Sequence, residues 1–508
     1  MRVEIDGSPL AIDEVTAVAH GRAQAVAAPD LDDRMAPALD LVRERAAQGV
    51  VTYGVTTGFG ALASTRISPD EAEELQVDLV RSHAAGVGPY LDREMTRAML
   101  LLRARTLAQG HSGVRPDVVR YLLRLLDEDL LPAVPMKGSV GASGDLAPFA
   151  HLALPVVGEG WVFIEGEARP AAEALAARGI EPLVLQAKEG LSLLNGTEGM
   201  LAMGCLAIED SMRLIDAADA ACALSVEALL ASAKPFDPRI QALRPHPGQA
   251  ESARVIRELL VDSEIVASHA DDFMHAVQDA YSVRCAPQVH GAVRDTVRHA
   301  ATVFERELGA VVDNPIVFPS DADIISGGNF HGQPLAFALD FLAIAISELG
   351  SISERRTDRI LDPDRSSGLP PFLAPRPGVN SGYMVTQYTA AALVAENRVL
   401  AHPASVDSIP TSGLQEDHVS MGWGAGLKLR SVIENTRHIL GVELVCAASG
   451  SEYRAPLAPA TGTAAVLAAV RDVVPPLVDD RPVGVDIEAA SDLIARGGIT
   501  AAIRPFVG

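Results

Sequence analysis

The stretch 197–233, TEGMLAMGCLAIEDSMRLIDAADAACALSVEALLASA, holds no proline and only two glycines, Gly199 and Gly204. Read as one helix, it would run roughly 55 Å at 1.5 Å per residue. Its apolar residues fall on nearly every side rather than along one stripe, which predicts a helix buried within a bundle. The stretches 272–307, 333–361 and 422–448 read the same way. Four such helices predict a mainly α fold whose centre, 197–448, is one elongated bundle. A smaller helical and loop region, 1–196, precedes it, and a tail with two modest helices, 449–508, follows.

The composition agrees with helix packing. Apolar residues make up 48% of the 508 and aromatic ones only 4%, so the core must be aliphatic and rich in alanine. RVEID near the start reads as a short strand. In SPDEAEELQVDLV (68–80), Ser68 can cap a helix, Pro69 fits its first turn and Glu71 can complete a capping box. The segment 91–110 reads as a helix stopped by Gly110, and 115–132 as a helix closed by Pro132. Residues 133–165 are rich in glycine, proline and β-branched residues and predict loop, turn and short strand rather than helix; 362–382 reads as a long loop.

The formal net charge of −24 argues against nucleic acid and anionic lipid as partners. Cys205, Cys222, Cys285 and Cys446 lack metal-ligand spacing, and the chain is too long for a disulfide scaffold, so free thiols in a reducing compartment are expected. The N-terminus has no basic region followed by an apolar run, and charges such as Asp340 interrupt the apolar stretches. The expectation is a cytoplasmic protein without a membrane span. His83, His290, His331 and His418 show no ligand spacing, so no metal is assigned.

A second stretch, GSVGASGDLAPFAHLAL (138–154), carries the chemistry. Gly-Ala-Ser-Gly-Asp can be a plain turn. A serine-hydrolase elbow needs glycine where Asp145 stands. A phosphate loop needs a Lys-Ser/Thr pair that follows neither these glycines nor those of 54–60. The remaining reading is self-modification: the nitrogen of Gly144 attacks the carbonyl of Ala142, and water leaves from the ring and from Ser143. The product is an imidazolone with an exocyclic methylene, an electrophile made without metal or added cofactor. Only glycine lets the backbone curl so closely.

This stretch resembles the signature of the histidine and aromatic amino acid ammonia-lyase family, whose Ala-Ser-Gly becomes 4-methylidene-imidazol-5-one (MIO). The resemblance spans about residues 50–445, through YGVTTGFG, RSHAAGVGP, EGLSLLNGTEGM, QDAYSVRCAPQVHG, VDNP, GNFHGQP, ERRTDR and QEDHVSMGW, in that order. It implies a mainly α, L-aspartase-like fold and a homotetramer with active sites shared between subunits. It also implies an MIO group formed from Ala142, Ser143 and Gly144. The reaction implied is loss of ammonia from an α-amino acid.

The resemblance assigns the site residue by residue. Tyr53 is a catalytic tyrosine, acting as proton acceptor or acid. A phenol has a reference pKa of about 10, so this role favours alkaline conditions. Tyr281 is the second catalytic tyrosine. Arg284, three residues on, is the carboxylate clamp, which its planar fork suits. Gln278 orders the site from the same helix face. Asn195 on its own reads as a cap before the long helix, and the resemblance implies that it bonds the MIO group or the substrate carboxylate. Phe330 lies against the substrate ring. His83 and Glu416 set the substrate: a histidine and a carboxylate suit an imidazole, whose nitrogens donate and accept. The expectation is elimination of ammonia from L-histidine to give trans-urocanate. Tyrosine or phenylalanine ammonia-lyase, an MIO-dependent aminomutase and an inert helical scaffold are the alternatives. Gly413 stands where the family more often has alanine, and the last sixty residues match weakly.

Overall fold

The structure is a computed structural model that describes residues 1–54, 57, 58, 67, 71–270 and 277–508. It is mainly helical with long helices, as expected, and holds four small sheets among the described residues. The helix Glu198–Ala228 runs 31 residues and is buried along most of its length, as apolar residues on every side require. Gln333–Leu361 has the expected bounds, and Gly422–Glu452 runs four residues further than expected.

The fourth long stretch differs. A one-turn helix, Tyr281–Arg284, comes first, and a separate helix, Ala286–Glu307, follows. Pro287 lacks an N–H and clashes in a helix interior, but it fits a first turn, so the helix restarts at Ala286. Residues 133–165 also differ from expectation. They hold a helix, Leu146–Ala153, whose Pro148 again lies in the first turn.

The chain divides into two compact units. The first comprises Met1–Leu206, Ala301–Asp340 and Pro403–Leu427. Here RVEI does form a strand, Arg2–Ile5, parallel to Gln24–Ala27. The helix Arg93–Ala108 is buried from Met95 through Ala108, and Asp92 caps it by accepting from the Met95 N–H at 2.8 Å. Its buried Arg103 pairs with buried Glu198 at 3.0 Å. The helix Ala72–His83 ends on His83, one of the expected site residues; the Ser68 and Pro69 cap lies outside the described residues.

The second unit comprises Ala207–Ala300, Phe341–His402 and Lys428–Gly508. It contains a buried charge network. Arg356 Nη2 donates to Glu443 Oε2 at 2.8 Å, and Arg294 Nη2 to Asp219 Oδ2 at 2.7 Å. His290 Nδ1 lies 2.6 Å from Asp219, and Ser225 donates to Glu443 at 2.7 Å. Arg356 also donates to the Ser282 carbonyl at 3.2 Å, steadying the Tyr281–Arg284 turn.

Gln333–Leu361 is long and apolar enough to cross a membrane, contrary to expectation, but 67% of its most apolar window is buried inside the protein. Asp340 is accommodated there because its carboxylate accepts from the Ser405 N–H at 2.8 Å. Cys205, Cys222 and Cys446 are buried, Cys285 is half-buried, and all four are free.

Candidate active site

The Ala142–Gly144 tripeptide is a tight turn held at both ends. Ser143 has φ +47° and Gly144 φ +80°, two successive left-handed residues that curl the backbone back on itself. A Cβ on Gly144 would fall 1.9 Å from the Gly196 carbonyl oxygen, so only glycine fits. On one side, Met421 N–H donates to the Val140 carbonyl at 2.9 Å. On the other, Asp145 N–H donates to the Gly196 carbonyl at 2.8 Å, and the Asp145 carboxyl accepts from Met200 N–H at 2.9 Å. Asp145 is fully buried, and burial pushes its carboxyl well above the usual range.

Ala142 and Ser143 line a cavity of about 850 Å³ in the first unit. The same cavity is lined by Tyr53, His83, Asn195 and Glu416. This is a size suited to a small molecule. Sequence segments more than 300 residues apart therefore meet around the tripeptide.

His83 ends its helix with Nδ1 2.9 Å from the Leu79 carbonyl. A carbonyl only accepts, so Nδ1 carries the proton and Nε2 is left as an acceptor. Burial holds the imidazole below its usual pKa, against the opposing pulls of the Leu79 carbonyl and Glu416. Glu416 Oε2 accepts from the Thr411 hydroxyl at 3.1 Å, and a main-chain bond from Thr411 N–H to the Glu416 carbonyl at 2.9 Å closes that loop.

Asn195 closes the short helix Glu189–Leu194 rather than opening the long one. Arg103 Nη1 holds its carbonyl at 2.8 Å. Its side-chain nitrogen donates to the Asn314 carbonyl at 3.0 Å and lies 3.5 Å from Asp313 Oδ1.

The other expected residues do not line this cavity. Gln278 lies in a bend before the Tyr281–Arg284 turn, not on its helix face as expected. Tyr281 is 71% exposed, with the Arg284 guanidinium stacked 4.5 Å from its ring centroid. Phe330 is half-buried in a turn just before Gln333. Conversely, the fully buried Lys188 and its partner Asp313 went unassigned in the sequence, although both lie near recognisable motifs. A buried lysine leaves no composition signal; only the three-dimensional neighbourhood shows it.

Residues 10–472 match the sequence profile of the aromatic amino acid lyases. The chain belongs to the aromatic amino acid lyase family. Like that family it is a carbon–nitrogen lyase. It is 52% identical to histidine ammonia-lyase of Sorangium cellulosum (strain So ce56), over 99% of each chain. It is 49% identical to histidine ammonia-lyase of Symbiobacterium thermophilum, over 99% of this chain and 98% of that one. Among solved structures, it superposes on tyrosine aminomutase from Streptomyces globisporus with a TM-score of 0.94 at 39% identity, covering 100% and 99% of the two chains. It superposes on histidine ammonia-lyase from Trypanosoma cruzi with a TM-score of 0.92 at 40% identity, covering 100% and 96%.

Proposed function

We propose that this lyase eliminates ammonia from L-histidine to give trans-urocanate. The observation that carries the reading is that His83 and Glu416 line the same cavity as Ser143. His83 Nε2 and the Glu416 carboxylate are both acceptors: either takes the single N–H of a neutral imidazole, and the two together take both N–H groups of an imidazolium, donors that a phenyl ring lacks.

The tripeptide fits an MIO group. Its left-handed turn, the close seat of Gly144 against Gly196 and the two flanking anchors are what a ring closed between residues 142 and 144 requires. When formed, that group supplies an electrophilic carbon for the departing amine. The chain's own residues do the rest. His83 and Glu416 bind the ring. Tyr53, which lines the cavity, is the residue we assign to take or give a proton on the substrate carbon skeleton. The apolar wall, which includes Leu79, Leu191 and Leu194, limits water around the reacting atoms.

Gln278, Tyr281, Arg284 and Phe330 enter the reading as residues that another copy of the chain supplies, in a homotetramer with shared sites. The exposure of Tyr281 in the single chain supports this. We place the enzyme in the cytoplasm, where its four free thiols stay reduced.

The test is incubation with L-histidine, L-tyrosine and L-phenylalanine, following ammonia, product absorbance and product regiochemistry. Ammonia and an α,β-unsaturated acid from histidine alone support the reading. Selective turnover of tyrosine, or a β-amino acid product, overturns it in favour of the aromatic lyase or aminomutase alternatives.

A further inference from the structure

We infer that Lys188 and Asp313 are positioning residues that fix Asn195 as a hydrogen-bond acceptor for the substrate's amine. The inference rests on the histidine-lyase reading and refines one residue of it.

The four side chains involved are buried: Lys188, Asp313, Ser192 and Asn195 are each at most 2% exposed. Lys188 Nζ donates to Asp313 Oδ2 at 2.7 Å and to the Ser192 hydroxyl at 3.0 Å. Ser192 passes a hydrogen bond on to the same Asp313 oxygen at 3.0 Å. Asp313 Oδ1 in turn accepts from the Asn314 backbone N–H at 2.7 Å. The carboxylate is thereby held in one orientation by three donors.

That orientation decides which way the Asn195 amide points. Its nitrogen faces two acceptors, the Asn314 carbonyl at 3.0 Å and Asp313 Oδ1 at 3.5 Å. Flipping the amide would set its oxygen against both, leaving two oxygen pairs in repulsion. Both amide protons are therefore committed. Asn195 Oδ1 is left buried and without a partner. An unpartnered buried carbonyl is costly, about 1–3 kcal/mol, unless a ligand pairs it.

Asn195 lines the cavity beside Ala142 and Ser143, and we assign the partner that its Oδ1 lacks in the single chain to the ligand. The ligand group must donate. A carboxylate cannot, which removes the expectation that Asn195 bonds the substrate carboxylate. Any ring N–H is taken by His83 and Glu416. The α-amine remains. An N–H held by Asn195 Oδ1 would orient the nitrogen lone pair, which must face the tripeptide for the amine to react.

The experiment compares L-histidine with 3-(imidazol-4-yl)propanoate, which keeps the ring and carboxylate but has no amine. In the double variant Lys188→Met/Asp313→Asn, which leaves no lone buried charge, kcat/KM for L-histidine falls about tenfold to a hundredfold. The inhibition constant of the propanoate moves less than about twofold. On an Asn195→Ala background the same pair of substitutions adds less than about threefold. Should the double variant fail to fold, Ser192→Ala removes a single donor to Asp313 and is read the same way, with a loss of about threefold or more. Parallel loss of propanoate binding, or full additivity with Asn195→Ala, overturns the inference while leaving the substrate reading intact. A wild-type protein that leaves L-histidine untouched overturns both.

Discussion

The backbone N–H of Met200 donates to the Asp145 carboxyl at 2.9 Å, so the first turn of the Glu198–Ala228 helix and the tripeptide loop hold each other in place. Asp145 makes no cap bond to its own helix, Leu146–Ala153. Its side chain serves the neighbouring helix instead, at an end where free backbone N–H groups favour an oxygen acceptor. The strained turn of Ser143 and Gly144 is thus anchored directly on a 31-residue helix that is buried along most of its length.

Gly144→Ala would therefore abolish activity. The added Cβ meets the Gly196 oxygen at 1.9 Å, and relief would break the Asp145–Gly196 bond. Gly166→Ala is the matched control: its φ is +83°, close to the +80° of Gly144, but nothing lies within 4 Å of its added Cβ. It should keep full turnover and lose only about 1 kcal/mol of stability. Histidine turnover and thermal melts of both variants check this.

Much of this architecture is legible in the sequence, and the exceptions have physical reasons. The bounds of Gln333–Leu361 follow from a stretch between GNFHG and Pro363 whose only proline, Pro334, fits the first turn. The one-turn helix at Tyr281 is hidden because Pro287 looks like a residue inside a helix when it is really in the first turn of the next. Leu146–Ala153 is hidden by the glycines before it. For the site, the motifs name Tyr53, His83, Asn195 and Glu416, and these do meet at one cavity. The direction of the Asn195 amide is not legible, since it depends on Lys188 and Asp313, residues whose burial no local pattern encodes.

Glu416→Gln replaces one acceptor oxygen with a donor and should cut kcat/KM for L-histidine by about tenfold to a hundredfold, the effect of about 1–3 kcal/mol. Glu416 is half-buried and bonded chiefly to Thr411, so the melting temperature should hardly move. Steady-state kinetics beside a thermal melt separate the two effects. Unchanged kinetics would remove Glu416 from substrate recognition.

The pH dependence follows from His83. Burial lowers its folded pKa below the unfolded value of about 6.5, so the folded state binds fewer protons than the unfolded one in that window. Its contribution to stability is complete above the unfolded pKa and is lost as pH falls through the lower, folded pKa. Protonation also fills Nε2, the atom offered to the substrate. Besides the alkaline preference set by Tyr53, kcat/KM should therefore show a further inflection below the ordinary histidine range that is absent in His83→Gln. An NMR titration of His83 gives the same pKa independently; a value at or above 6.5 would contradict the account.

Arg356→Met would strand the buried Glu443 carboxylate and release the Ser282 carbonyl. Breaking a buried pair this way costs about 3–5 kcal/mol, whereas replacing both partners by apolar residues costs far less. Arg356→Met/Glu443→Leu should thus recover most of the lost stability in denaturant melts. Activity should recover less, because Ser282 sits between Tyr281 and Arg284 and only Arg356 supplies its side-chain anchor among the described residues.

The most direct test of the central claim, that the 142–144 backbone makes its own electrophile, is the intact mass of freshly purified protein measured beside its turnover of L-histidine. The account predicts an active wild type lighter than its sequence by two waters, and a Ser143→Ala variant that lacks this double loss and is inert. An active wild type at its full, unmodified mass would contradict it.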